Sequence, residues 1–172
     1  MVINYKPLNA ITKSFNCPLP CQETIMQKIQ NNKIFSKFDM KSGYYQMQIK
    51  EEDRLKIAFT CPTGFYQWKV VPFGLKNDPT IFQWRMDYIF GKYDFIVVYI
   101  DDILIHSKYF ESHLRHLQIF LEEVKQHGIV LSEQKMLLFQ ENIDFLCIHV
   151  IKGRIQMQPH VLTKLSKFPD QL

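Results

Sequence analysis

No apolar run in this 172-residue sequence reaches the 18 or so residues that a membrane-spanning helix needs. The longest of note, "FIVVYI" (Phe95 to Ile100), has the length of a strand, so a membrane partner is not expected. The first residues lack the basic-then-apolar layout of a secretory signal, because polar residues keep interrupting them. Cysteine is present four times, at Cys17, Cys21, Cys61 and Cys147, with no CxxC pair and no Cys/His ligand set. That spacing argues against a zinc module and for free thiols in a reduced intracellular setting. Internal repeats, low-complexity tracts and Gly/Ser linkers are also missing, so one compact unit is expected.

What is present is enough apolar material, 47% of residues, to pack one domain. The net charge of +4 is unevenly placed. Residues 1–60 carry nine Lys/Arg against five Asp/Glu, and the rest of the chain is balanced at twelve against twelve. A basic N-terminal third attracts polyanions.

Local patterns give the elements. Ile25 and Ile29 stand one turn apart in "PCQETIMQKIQNN", which predicts a short helix. "IFSKFD" reads as a strand ending at Asp39. "YYQMQI" and "FYQWKVV" alternate and read as strands, and "PTG" (Pro62 to Gly64) turns "IAFTC" into the second of these as a hairpin. After Pro79, Ile81, Phe82, Met86, Ile89 and Phe90 recur at helical spacing and Gly91 closes the segment. Leu114, Leu117, Leu121 and Val124 form the apolar stripe of a second long helix ending at Gly128. His113 and His116 lie three apart on it and could hold a metal, but no third ligand is suggested and an exposed polar face is expected for them. "IDFLCIHVIKGRIQM" gives two strands around Lys152 and Gly153. Helices mixed with hairpin-linked strands predict an α+β fold.

The chemistry concentrates in "VVYIDDILIHS" (Val97 to Ser107). Asp101 and Asp102 form an acidic turn between two apolar strands, where unpaired carboxylates are costly. On a strand their side chains point to opposite sides. Asp39 ends another strand; if the two strand ends adjoin, Asp39 and Asp101 converge across 62 positions. Carboxylates so placed, together with substrate phosphates, suit a hard divalent cation. The alternative is that the aspartates cap turns or pair with Lys or Arg.

Taken in order, "FSKFDMKSGYYQMQI", "FTCPTGFYQWKVVPFGLKNDPTIFQ" and "VVYIDDILIHS" resemble the reverse transcriptase domain of retroelements. The segments "FTCPTGFYQW" and "IQMQPHVLTKLSKFPDQL" look most like the plant pararetroviruses (the caulimovirus and badnavirus group) and their integrated copies. The resemblance implies a right-hand polymerase fold: partial fingers at 1–13 and 47–77, a palm of antiparallel sheet and helices at 14–46 and 78–151, and the start of a largely missing thumb at 152–172. It implies DNA synthesis from dNTPs on an RNA or DNA primer–template, with two Mg²⁺ ions (Mn²⁺ in their place) as cofactors, and linkage to thumb and RNase H segments in a parent polyprotein. Asp39, Asp101 and Asp102, with Met40, would form the metal site. Lys135 in "SEQKM" would protonate the leaving pyrophosphate, unless it is a solvated surface lysine. Lys41, Ser42 and Gly43 would meet the triphosphate. Tyr44 would fill the space of a 2′-hydroxyl, the alternative being an ordinary core tyrosine. Phe73, Gly74, Tyr99 and Ile100 would line the nucleotide site. Lys76, Pro79, Gln83, Leu146 and Cys147 would contact primer and template, the last two in the hairpin "DFLCIHV". Phe65, Tyr66 and Trp68 would either stack on bases or pack within the fingers hairpin.

Some positions depart from the family pattern. Asn4 and Lys6 in "VINYKPLN" replace Asp and Arg, and the basic fingers strands expected upstream are not in the sequence. Asp78 stands where a small residue is usual, and Cys147 where glycine is. A negative charge near a triphosphate repels it, and a side chain at the primer hairpin obstructs backbone approach. These departures suit a second reading, a non-catalytic remnant that at most binds nucleic acid.

Overall fold

A computed structural model describes residues 3–146, 148–151 and 153–157. The chain begins with helices α1 (Lys6–Ile11) and α2 (Gln22–Ile29), then strand β1 (Ile34–Asp39), a 3₁₀ turn (Gly43–Gln46), the short helix α3 (Glu51–Arg54), and the hairpin of β2 (Phe59–Cys61) and β3 (Gly64–Tyr66). Helix α4 (Asp78–Phe90) leads to the hairpin of β4 (Ile96–Tyr99) and β5 (Asp102–Ser107), and helix α5 (Phe110–Gln126) leads to β6 (Leu137–Gln140). Strands β7 (Asn142–Phe145), β8 (Ile148–Ile151) and β9 (Arg154–Met157) complete the described chain. No helix among the described residues is long and apolar enough to cross a membrane.

The central sheet is antiparallel, in the order β4-β5-β1-β6. Its two faces are covered differently, as the period of two requires. Phe38, Ile103, Ile105, Ile96 and Val98 face α4 and α5, meeting Phe82, Met86, Phe90, Leu117 and Phe120. Phe35, Leu104 and Val97 face the other way, against α2 and the three-stranded sheet β7-β8-β9, through Ile25, Ile29, Phe145 and Val150. Slipping β1 by one residue would turn Phe35 and Phe38 to the wrong faces, at about 2 kcal/mol for each buried ring. Apolar packing thus fixes the register that sets Asp39 opposite Asp102.

Helix α5 corrects two expectations. Its buried face is His113, Leu117, Phe120, Glu123 and Val124, while Leu114 and Leu121 are about half exposed. His113 is fully buried: its ring bonds to the hydroxyls of Ser36 on β1 and Ser107 on β5, each at 2.8 Å. His116 is half-buried, stacked flat on Phe95 and bonded to the same Ser107 hydroxyl. Leu117 and Val124 of the expected stripe are buried, but the buried face is turned toward His113 and Phe120 and away from Leu114 and Leu121, because two serines on the sheet supply a polar seat that the helical periodicity does not show.

Other segments also differ from expectation. "YYQMQI" opens as the 3₁₀ turn and continues to an isolated bridge between Gln48 and Val70. "FYQWKVV" contributes only Phe65 and Tyr66 to β3, which pair with Thr60 and Phe59. Helix α1 and strand β6 lack a strong period and were not anticipated. The segment from Ile143 to Met157 forms three strands' worth of pairing rather than two. Cys147, Lys152 and most of the expected thumb start, 158–172, lie outside the described residues.

Candidate active site

The β4–β5 turn consists of Ile100 and Asp101, because Tyr99 pairs with Asp102 and Asp102 already belongs to β5. This corrects the expectation of an Asp-Asp turn. Ile100 sits at φ 53°, a left-handed conformation that β-branched residues rarely adopt. Its amide donates to Oε1 of Gln83 at 2.7 Å, and the Gln83 Nε2 donates to the Val98 carbonyl and to Asp87 Oδ1. Gln83 is fully buried, so its side chain braces the turn from behind. On the other side the Met40 amide donates to the Asp101 carbonyl at 3.1 Å.

Three carboxylates lie near one another here, two paired with lysines and one without a partner among the described residues. Both oxygens of Asp39 accept from Lys135 Nζ, at 3.1 and 3.2 Å. Asp102 is paired with Lys37 Nζ at 3.1 Å, on the side of the sheet away from Gly43 and Phe82. Asp101 points to the Gly43 side, and its Oδ1 is buried with no hydrogen-bond partner among the described residues. Burial pushes the Asp101 carboxyl up, and the charges of Asp39 and Asp102 push it further, with a partial offset from Lys135.

A buried oxygen without a donor, beside a second carboxylate, fits a cation. Among the described residues no group of three or more His, Cys, Asp or Glu side chains is placed to hold a metal ion, so an ion here would rest on two carboxylates and further oxygens. Mg²⁺ in such sites completes its shell with water and substrate phosphate. Met40 has its side chain in the core, so only its backbone carbonyl is available as a ligand.

After Met40 the chain turns sharply. Ser42 is left-handed at φ 53°, and Gly43 is buried against Asp101. A Cβ on Gly43 would overlap Asp101 Oδ1 and approach Phe82 Cζ to 2.9 Å, so only glycine fits. Gln46 closes the turn by donating to the Lys41 and Val130 carbonyls and accepting from the Val130 amide. The Lys41 amide is spent on Val130 as well. Tyr44 packs edge-on to Phe73 at 5.4 Å and against Phe82 at 5.3 Å. Burial raises its hydroxyl's pKa, and Asp101 and Asp78 raise it further, which places the tyrosine beside the carboxylates. Phe73 is half exposed over Tyr44 and Tyr45.

Not every expected residue joins this cluster. Gly74 (φ 105°) and Lys76 are tied to α1: Asn9 donates to the Gly74 carbonyl and accepts from the Lys76 amide, while Lys76 Nζ donates to the Thr12 carbonyl. Pro79 lies in the first turn of α4. Asp78, next to it, is buried, and burial pushes its carboxyl up to about 7, partly offset by a bond from the Leu75 amide. The extra negative charge expected there is therefore only partly present at neutral pH. Tyr99 and Leu146 pack on the cluster beneath β7–β8, Leu146 at φ 55°. Lys37 and the bracing role of Gln83 were missed. A lone lysine two positions before Asp39, on the same strand face, was the available signal.

The family model for "Reverse transcriptase (RNA-dependent DNA polymerase)" matches residues 1–150. This chain belongs to the reverse transcriptase family. It is 45% identical over its whole length to the enzymatic polyprotein of cauliflower mosaic virus (strain Strasbourg), of which it covers 26%. It is also 45% identical, over 99% of its length, to polyprotein P3 of Commelina yellow mottle virus, covering 9% of that protein. The chain thus spans about a quarter or less of these relatives. Among solved structures, the foamy viral protease-reverse transcriptase in complex with double-stranded DNA matches 99% of this chain and 30% of its own at a TM-score of 0.86, with 20% identity. The same viral protein in complex with an RNA/DNA hybrid matches at 0.80, covering 99% of this chain and 23% of its own, with 20% identity. The right-hand polymerase fold expected of the reverse transcriptase resemblance is borne out.

Proposed function

We propose that this chain is the fingers–palm part of a larger polyprotein and carries out template-directed DNA synthesis from dNTPs on an RNA or DNA strand. The observation that carries this reading is Asp101: a buried carboxylate oxygen without a donor, facing Gly43 and coupled to Asp39. Asp39, Asp101 and the Met40 carbonyl would hold two divalent ions, Mg²⁺ or Mn²⁺, with Asp102 in support. Such ions, when bound, stabilise both the attacking and the leaving oxygen of an in-line phosphoryl displacement. The protein's own share is positioning. Ser42 and Gly43 present backbone amides at the turn, where a triphosphate's oxygens accept them. Tyr44, held by Phe73 and Phe82, fills the volume beside the sugar and so selects against a 2′-hydroxyl. Lys135, paired with Asp39, would give a proton to the departing pyrophosphate. The Tyr99–Ile100 turn and Phe73–Gly74 would border the nucleotide. Lys76, Pro79, Gln83, Leu146 and Cys147 would shape the path of primer and template, Gln83 through the turn it braces.

Primer extension on an RNA template with Mg²⁺ tests this, with Asp101→Asn as control. Template-dependent extension that falls to background in the variant is the expected result. Equal signals in both would mean a contaminating polymerase. No extension, with primer–template binding retained, would favour the non-catalytic remnant.

A further inference from the structure

Lys37 lies on β1 two residues before Asp39, opposite Leu104 in register, in a strand that otherwise feeds the core. Its Nζ is 3.1 Å from Asp102 Oδ1 and 5.8 Å from the centroid of the Phe145 ring. Phe145 is fully buried on β7, one residue before the left-handed Leu146 that opens the β7–β8 turn. Lysine and aspartate are both mostly shielded, with side chains 23% and 32% exposed, so their attraction is screened less than that of a surface pair. The ammonium therefore does two things. It cancels one of three adjacent negative charges, and it anchors the Asp102 carboxylate toward β7 and away from the Gly43 side, where Asp101 points.

We infer that Lys37 is a positioning residue that holds Asp102 out of the metal shell, leaves Asp39 and Asp101 as the paired ligands, and ties the acidic turn to the β7–β8 hairpin. This rests on the polymerase reading above. It differs from the assignment of Asp102 as a direct ligand, and it gives Lys37 a role that packing alone would not require. Without Lys37, the freed carboxylate adds a net negative charge near the ion and can swing to compete for it. Ions would bind more tightly to the free protein, and the productive arrangement would be less populated.

The test uses the 172-residue chain and Mn²⁺ alone, with free ion measured by electron paramagnetic resonance. Lys37→Met should raise Mn²⁺ affinity about threefold to tenfold at low salt, the size expected of one charge acting on a divalent ion at solvent-screened distances. The double variant Lys37→Met/Asp102→Asn restores the local charge and should bind Mn²⁺ within about twofold of wild type. Unchanged or weaker binding by Lys37→Met overturns the inference, and so does weaker binding by the double variant, which would make Asp102 a ligand. If Lys37→Met does not fold, the double variant decides, because it leaves no uncompensated carboxylate. In primer extension, Lys37→Met should lower kcat about tenfold with KM for dNTP nearly constant, and Lys37→Arg should recover most of it; a change confined to KM counts against the role. Should the wild-type chain extend nothing, the polymerase reading falls and the Mn²⁺ measurement still decides Lys37.

Discussion

Gly43 and Asp78 are the two residues whose neighbours most directly set measurable behaviour. Gly43→Ala must push a methyl into the Asp101 carboxylate and the buried Phe82 ring. Overpacking of that kind costs about 1–3 kcal/mol; a lower Tm together with loss of extension is expected, whereas a surface glycine would show neither. Asp78 sits in the folded state with its carboxyl raised to about 7 by burial, above the value it has when unfolded. The folded protein therefore binds more protons than the unfolded one between about pH 4 and pH 7, and stability falls as pH rises through that window. Asp78→Asn keeps an oxygen for the Leu75 amide without the charge. It should raise stability at pH 8 by on the order of 2 kcal/mol and flatten the pH dependence in thermal melts; equal melts at pH 5 and pH 8 for both proteins would refute the effect.

At the scale of elements, the joint between the sheet and α5 is the distinctive feature. His113 bridges β1 and β5 through Ser36 and Ser107, and the Phe139 amide on β6 donates to the same Ser36 hydroxyl. Strands β1 and β5 are the two that carry Asp39 and Asp102. Burial, with a smaller contribution from His116, holds the His113 imidazole down at about 4, below its unfolded value. The sign is opposite to that of Asp78: the unfolded chain binds the extra proton, so this stabilisation is present above about pH 6.5 and is lost toward pH 4. His113→Ala removes one hydrogen bond from each of two buried hydroxyls, which keep the Phe139 amide and His116, and opens a cavity beside Phe139; it should cost about 2–4 kcal/mol in chemical denaturation. A cost below 0.5 kcal/mol, the range of an exposed helix position, would return this histidine to the polar face first expected for it.

The whole molecule joins a basic N-terminal third to an acidic centre set between two packed layers. If it holds primer–template, affinity should fall steeply with salt, log K declining linearly with log salt concentration as counterions are released. Binding indifferent to salt would argue against a nucleic-acid partner. The strands that end at Asp39 and begin at Asp102, and helix α4, could be read from sequence because each rests on local apolar periodicity or on charges set in an apolar run. The His113 bridge, the Gln83 brace and the Lys37–Asp102 pair could not, since each joins side chains that lie far apart in the chain. Even the turn moved by one residue, from Asp101–Asp102 to Ile100–Asp101, because strand pairing and the Gln83 bond hold Ile100 in a conformation that it disfavours alone. Sequence by itself determined which carboxylates are present and which strands carry them, through hydrophobic alternation. Tertiary structure decided which carboxylate stays unpaired, because the positions of Lys135, Lys37 and Gly43 around the three aspartates depend on long-range packing that no local pattern encodes.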